Sequence, residues 1–281
     1  MLAYPYFCRM KLITSPHNAT IRKIEQLQRK SRARRSEGIF VIEGRREIML
    51  ADQGYYELDT LFVCDDLFQD TDTTDPQNIY HKLNIKQSPQ VIKVSREVYE
   101  NIAYRGGVEG CLAFAKAKNF KLQDLQLSEK PLILIAESPE KPGNLGALLR
   151  TADAAKVDAM IVVAPTTDLY NPNVIRSSVG CLFTVPTVTV ETAAELTDFL
   201  QTKKIDLFAA TLQNSTRYDQ QDFTNGCAIA VGTEATGLDQ ALRDAAKANV
   251  IIPMGGAIDS MNVSVSAAIL LFEAKRQRNF K

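Results

Sequence analysis

Five short apolar runs, at 132–136, 159–163, 207–210, 228–231 and 250–252, punctuate the second half of this 281-residue chain. Each is too short for a buried helix, and between most of them lies a stretch of helical composition such as 193–202. Strands that are apolar throughout, rather than alternately apolar and polar, are buried on both faces. Repeated strand–helix alternation of this kind predicts an α/β domain on a parallel sheet, running from Pro131 to the end of the chain. No G-x-G-x-x-G follows the first run, so the signature of a dinucleotide-binding fold is missing there.

The first half reads as a smaller α/β unit. Residues 21–30 have helical spacing, with Ile24 and Leu27 on one side and charges on the other. Strands are expected at 38–42, 58–64, 90–94 and 111–115, with helices at 45–51 and around Val98. Residues 65–80, rich in Asp and Thr, read as a surface loop. The polar stretch 116–130 carries no strong pattern and is expected to be a linker between an N-terminal domain, 1–115, and a C-terminal one, 131–281. Two domains suit a chain of this length.

Three turns that follow apolar runs carry the chemistry. The first is Glu137-Ser138-Pro139-Glu140-Lys141-Pro142-Gly143-Asn144-Leu145-Gly146, read as a tight turn leading into a helix from Ala147, with Arg150 about one turn in. The second is Gly232-Thr233-Glu234-Ala235-Thr236-Gly237-Leu238. The third runs from Ile252-Pro253-Met254-Gly255-Gly256 through Ser260-Met261-Asn262-Val263-Ser264 into an Ala/Leu-rich helix. That helix ends with Lys275, Arg276 and Arg278, where cations favour the macrodipole. A Gly-rich turn between strand and helix lets a ligand approach the backbone closely, although a single such turn is equally an ordinary connection.

Taken together and in this order, the three segments resemble the three motifs of the SpoU (TrmH-type) RNA ribose 2′-O-methyltransferases, a branch of the SPOUT superfamily. Asn144, Gly146 and Arg150 match the N-x-G-x-x-x-R spacing of the first motif. Gly232, Glu234, Gly237 and Leu238 match G-x-E-x-x-G-L of the second. Ile252 to Ser264 match the third, with Met261 in place of the usual Leu, a swap that conserves apolar volume. Phe40-Val41-Ile42-Glu43-Gly44 fits the F-x-x-E-G pattern of the family's ribosomal-protein-like substrate-binding domain. Met10-Lys-Leu-Ile-Thr-Ser resembles how family members begin, which leaves Met1 and Met10 both open as the start.

The resemblance implies a deep trefoil knot in the C-terminal turns, a homodimer formed through the C-terminal domain, and S-adenosylmethionine as methyl donor. It implies ribose 2′-O-methylation of RNA, with rRNA expected and tRNA the alternative. A non-catalytic RNA-binding or ribosome-assembly protein on the same fold is the rival from another class. Gly232, Ile252 and Met261 match positions whose backbone contacts the cofactor, Ile252, Met254 and Met261 would add an apolar wall, and Asn262 is expected at the cofactor as well. Arg150 is expected to hold the target's phosphate and ribose and to stabilise a developing alkoxide, since a guanidinium stays protonated. Asn144 would orient Arg150 or the ribose. Glu234 would accept hydrogen bonds that hold the loops or Asn144, with general base as the alternative. Ser260 and Asn262 match polar positions near the reacting hydroxyl, and Ser260 reads equally as a helix cap.

Composition narrows the partners. Formal net charge is zero, yet residues 11–46 hold ten Lys/Arg against three Glu. Within them Arg29, Lys30, Arg32, Arg34 and Arg35 form a loop-like cluster that suits phosphates and carries no base information. Such a run is also what a solvated charged face looks like. Five scattered cysteines without a C-x-x-C pair predict neither disulfides nor a zinc cluster and fit a reducing cytoplasm. With only His17 and His81, a His-based metal site or a Ser-His-Asp triad has little raw material. No apolar run approaches the roughly 20 residues that span a bilayer.

Overall fold

The computed structural model describes residues 10–69, 71–104, 106, 109–233, 236–257 and 260–280. The chain divides into two compact units, Met1–Lys118 and Asn119–Lys281.

The first unit runs β1 (Lys11–Ile13), α1 (Ala19–Arg29), α2 (Ser31–Glu37), β2 (Ile39–Glu43), α3 (Arg45–Gln53), β3 (Leu58–Val63), α4 (Pro76–Leu83), β4 (Gln90–Val94), α5 (Arg96–Ile102) and β5 (Cys111–Lys116). Its five-stranded sheet has the order β1-β4-β3-β5-β2, with β1, β4 and β3 parallel and β5 antiparallel to both β3 and β2. The spacing of Ile21, Ile24 and Leu27 puts three fully buried side chains on one face of α1, against Phe62, Val98 and Phe114. Asn18 caps that helix by accepting the Thr20 N–H.

Two expectations for this unit change. The 65–80 loop gives way to a helix at Pro76, because Asp75 accepts the Gln77 N–H as cap and Pro76 supplies the favoured φ of a first turn. The burial of Ile79, Tyr80 and Leu83 then holds α4 in place. The basic cluster is helical rather than loop-like: α2 begins immediately after Lys30 and ends on Gly38, which sits at φ 66°.

The second unit runs β6 (Leu132–Glu137), α6 (Pro142–Ala154), β7 (Ala159–Val163), α7 (Pro172–Ser178), β8 (Thr187–Val190), α8 (Ala193–Lys203), β9 (Asp206–Ala210), β10 (Thr216–Arg217), β11 (Cys227–Val231), α9 (Gln240–Ala245), β12 (Ala248–Ile251) and α10 (Val263–Gln277). All seven strands are parallel, in the order β10-β12-β9-β11-β6-β7-β8. The interior strands β6, β7 and β11 are buried along their whole length, as their unbroken apolar sequence requires. β8 and β10 escape a reading by apolar runs; Thr187-Val188-Thr189-Val190 alternates and β10 is two residues long.

Residues 119–130 pack with this second unit. Leu122 is buried in its core and Leu125 and Leu127 lie against it, so three leucines anchor a stretch that is otherwise polar. The strand order places the switch in direction between β6 and β11: the chain leaves β6 toward β7 and β8, then crosses back to β9 and β11. In open α/β sheets ligands bind beyond the carboxyl ends of strands at such a point. After β12 the chain returns to lay α10 on α6, β11 and β6, a path consistent with the trefoil knot that the resemblance implies.

Candidate active site and nucleic-acid interface

The first motif turn is a helix earlier than its Pro and Gly suggest. α6 starts at Pro142, so Gly143, Asn144 and Gly146 lie within it and Arg150 is the ninth of its thirteen residues. Gly146 is there for packing: a Cβ on it would sit 1.9 Å from Ser177 Oγ and 2.7 Å from the Ser178 nitrogen, so only glycine lets α6 and α7 approach so closely. Two non-glycine residues at the carboxyl ends of neighbouring strands take left-handed conformations, Ser138 (φ 44°) after β6 and Ala164 (φ 45°) after β7. Such conformations cost on the order of 1–3 kcal/mol each and persist only when braced. The bracing is visible: the Ser138 N–H donates to Val163 O at 2.8 Å, its hydroxyl to Ala164 O at 3.2 Å, and Thr166 Oγ1 to Pro139 O at 2.7 Å.

The second motif explains itself in the same way. A Cβ on Gly232 would lie 2.2 Å from the Gly237 carbonyl carbon and 2.4 Å from the Leu238 nitrogen. The chain crosses itself there, held by paired hydrogen bonds between Thr233 and Gly237 at 3.2 and 3.0 Å. Glu234, the motif's carboxylate, lies outside the described residues.

The third motif closes the constellation. Asn262 rather than Ser260 caps α10: its Oδ1 accepts the Ser264 N–H at 2.9 Å and the Ser264 hydroxyl at 2.6 Å. Its Nδ2 donates to Asn144 Oδ1 at 3.2 Å, joining the first motif to the third across 118 positions of sequence. Ser260 is exposed two residues upstream. Arg278 fixes the far end of α10 by donating to Phe223 O and Lys130 O, each at 2.8 Å.

The second and third of these turns line a cleft of about 720 Å³ at the carboxyl ends of β9, β11 and β12. Gly232, Ile252, Met254, Ser260, Met261 and Asn262 all line it, and so do Thr233 and Gly237. A smaller recess on the other side of Val231, Gly232 and Val263 is lined by Glu137, Glu140, Lys141 and Asn144. The Asn144–Asn262 hydrogen bond therefore bridges the two spaces. Sequence reasoning misses the β9 end of the cleft, Thr211, Leu212 and Gln213. The signal for it is Leu212, an apolar residue placed just past a strand end and 52% exposed.

Arg150 does not join this constellation within one chain. It is exposed, lines neither cavity, and makes no hydrogen bond or ion pair to any described residue. Six residues beyond Asn144, it lies about 120° from it around α6.

The basic segment is an elbow. Lys30 ends α1 and begins α2, and Arg22, Arg29, Lys30, Arg32 and Arg35 are exposed cations without ion-pair partners among the described residues. Arg34 is the correction: it is 3% exposed and donates to the Leu27 and Gln28 carbonyls, the last acceptors of α1. A guanidinium spent on a helix end is not available to a phosphate. Among the described residues no group of three or more His, Cys, Asp or Glu could hold a metal ion, and no helix is long and apolar enough to cross a membrane.

A parallel α/β unit with a cleft at the carboxyl ends of β9, β11 and β12, and a small unit bearing a cationic elbow, define the class. Residues 131–272 match the SpoU rRNA Methylase family, and residues 18–113 match the MRM3-like substrate binding domain. The chain is 34% identical over 143 residues to 23S rRNA (guanosine(2553)-2'-O)-methyltransferase RlmP of Bacillus subtilis (strain 168), a stretch covering 51% of this chain and 57% of that one. A crystal structure of an RNA 2'-O ribose methyltransferase superposes with a TM-score of 0.79 at 37% identity, covering 95% of this chain and 99% of that one. The SpoU methyltransferase AviRb from Streptomyces viridochromogenes, in complex with the cofactor AdoMet, superposes with a TM-score of 0.84 at 26% identity, covering 94% and 99%. The chain belongs to the SpoU rRNA methylase family.

Proposed function

We propose that this protein transfers a methyl group from S-adenosylmethionine to a ribose 2′-hydroxyl of RNA, with rRNA as the substrate class. The observation that carries the reading is that the second and third motif turns line one cleft and the first is tied to them by the Asn144–Asn262 hydrogen bond. The cleft fits the cofactor by its own construction. It has the volume for a nucleoside-sized ligand, and Ile252, Met254 and Met261 offer an apolar wall. The glycine at 232 leaves backbone exposed where a side chain would collide. When bound, the cofactor supplies an electrophilic methyl on a sulfonium.

The protein's own residues then have separable tasks. Backbone around Gly232, Ile252 and Met261 holds the donor, and the paired asparagines set the position of the acceptor, which matters because an in-line displacement is won largely by orientation. Arg150 carries an unengaged positive charge suited to the target's phosphate and the developing alkoxide. Arg29, Lys30, Arg32 and Arg35 contact the RNA backbone from the N-terminal unit, while Arg34 shapes the elbow that presents them. Relatives whose names specify 23S rRNA, together with the substrate-binding domain match, favour rRNA over tRNA.

We also place the protein in the cytoplasm as a homodimer formed through the C-terminal unit. α10 presents Val265 and Phe272, 47% and 42% exposed, in line with half-buried Ala268 and Ile269. That is an apolar stripe at helical spacing on the outward side of α10. Titration calorimetry with S-adenosylmethionine, followed by ribose-methylation mapping of RNA from cells with and without the protein, tests the function. A folded protein that binds no cofactor would overturn the enzyme reading in favour of a non-catalytic RNA-binding role.

A further inference from the structure

Glu137 ends β6 directly beside the cleft, and methyl transfer by the residues already assigned gives it no task. It is only 7% exposed, and it lines the smaller recess with Asn144. Its neighbours two and four positions back, Ile135 and Ile133, point into the core under α8 and α9, so strand periodicity aims its carboxylate toward the start of α9. There its Oε2 accepts the Asp239 N–H at 2.7 Å. Asp239 makes no side-chain cap of its own. The backbone immediately before it, Gly237 and Leu238, is the stretch of chain pressed against Gly232.

From this geometry we propose that Glu137 is a positioning residue for the cofactor cleft, clamping the Gly237–Asp239 backbone against Gly232 through the Asp239 N–H. The inference rests on the cofactor reading of that cleft. Gly232, Thr233 and Gly237 form part of the cleft wall, and the Thr233–Gly237 turn is closed by two backbone hydrogen bonds and by Thr236 bonding to Thr233 Oγ1, all of them within the turn itself. The Glu137 bond anchors the base of that crossing to the first-motif strand, and in a buried setting a carboxylate acceptor is about twice as strong as a neutral one.

Burial raises the Glu137 carboxyl above the usual carboxylate range; the Asp239 amide and Arg243 oppose this, and the Asp239 carboxylate adds to it. Glu140 and Lys141 share its recess. With the folded pKa raised, the folded state binds the extra proton, so the group's contribution to stability falls as pH rises from the ordinary Glu value through the raised one. An ionised carboxylate kept here at neutral pH therefore costs folding stability, which is what a group retained for positioning looks like.

The test compares full-length wild type with Glu137→Ala, Glu137→Gln and Asp239→Pro. Gln keeps a carbonyl acceptor for the amide. Pro removes the donor while suiting the φ of −63° that Asp239 already has. S-adenosylmethionine affinity by calorimetry should fall about tenfold or more in Glu137→Ala and Asp239→Pro, no further in the double variant, and by no more than about threefold in Glu137→Gln. Exchange protection of the Gly237 amide should drop in the first two alone. Glu137→Gln should also melt no lower than wild type at neutral pH. Unchanged affinity and protection in Glu137→Ala would overturn the proposal, as would equal losses in the Gln and Ala variants. Should Glu137→Ala fail to fold, the Asp239→Pro and Glu137→Gln pair decides. If wild type itself binds no cofactor, the cofactor reading fails, while the amide protection still decides whether Glu137 holds the crossing.

Discussion

The cleft of the C-terminal unit and the elbow of the N-terminal unit solve opposite recognition problems. The cleft is made of backbone pinned by glycines and asparagines, with apolar side chains as walls. The elbow is made of long cationic side chains on two short helices, held from beneath by Arg34. A small cofactor has one shape and is bound by fixing atoms in place. An RNA backbone is a line of charge, bound by cations that need only be near it. Substitutions in the cleft should therefore act all or none, and substitutions in the elbow by increments.

Arg150 is the sharpest break of that contrast, because it is a cation that should behave like a cleft residue. Arg150→Ala should lower methylation by about 100-fold or more while leaving cofactor affinity within about twofold, as expected for a group acting on the transition state. Single-turnover methylation beside calorimetry separates the two. Arg150→Lys should recover little, since an ammonium lacks the planar fork. Loss of folding together with cofactor binding would give Arg150 a structural task instead.

Gly232→Ala tests the cleft's rigidity. The added carbon meets Gly237 backbone rather than a yielding side chain, so cofactor binding should be lost along with about 1–3 kcal/mol of stability. RNA affinity measured without cofactor should not move. An alanine variant that binds cofactor normally would mean the crossing is loose.

How legible each region is in the sequence follows from the same difference. The three motif turns can be read because close backbone approach demands particular residues locally, glycine at 232 and a capping asparagine at 262. What cannot be read is depth: Pro142, Gly143 and Gly146 look like a turn, yet they start a helix whose glycine exists for the partner helix α7. The β9 end of the cleft has no such local demand, so Leu212 passes unnoticed. In the elbow, charge counting identifies the surface but cannot tell a guanidinium aimed at solvent from one folded back on α1. Arg34 and Arg35 are adjacent in sequence, and only packing separates them. The leucines at 122, 125 and 127 are hidden by the polar residues around them.

The elbow's increments can be measured. Arg32→Ala with Arg35→Ala should weaken RNA binding and flatten its salt dependence by roughly 0.7–0.9 in log–log slope for each phosphate no longer neutralised, with cofactor affinity unchanged. Arg34→Ala should instead loosen the α1–α2 junction, seen as faster amide exchange around Lys30. If Arg34→Ala changes the salt slope while exchange stays slow, Arg34 contacts RNA after all.

The smallest effects decide between the two polar residues before α10. Asn262→Ala removes a cap accepting from Ser264 and the donor to Asn144, so about 1 kcal/mol should be lost, a melting shift of roughly 2–4 °C for a unit of this size. Asn262→Ser should restore most of the cap, since serine caps nearly as well, but not the link to Asn144. A methylation defect that persists in Asn262→Ser would then belong to that link. Ser260 is exposed, and no hydrogen bond or ion pair joins it to a described residue, so Ser260→Ala should change stability by less than about 0.5 kcal/mol. With folding untouched, slower methylation in Ser260→Ala can be assigned to the hydroxyl's contact with substrate. An unchanged rate would remove Ser260 from the site and leave the paired asparagines as its polar centre.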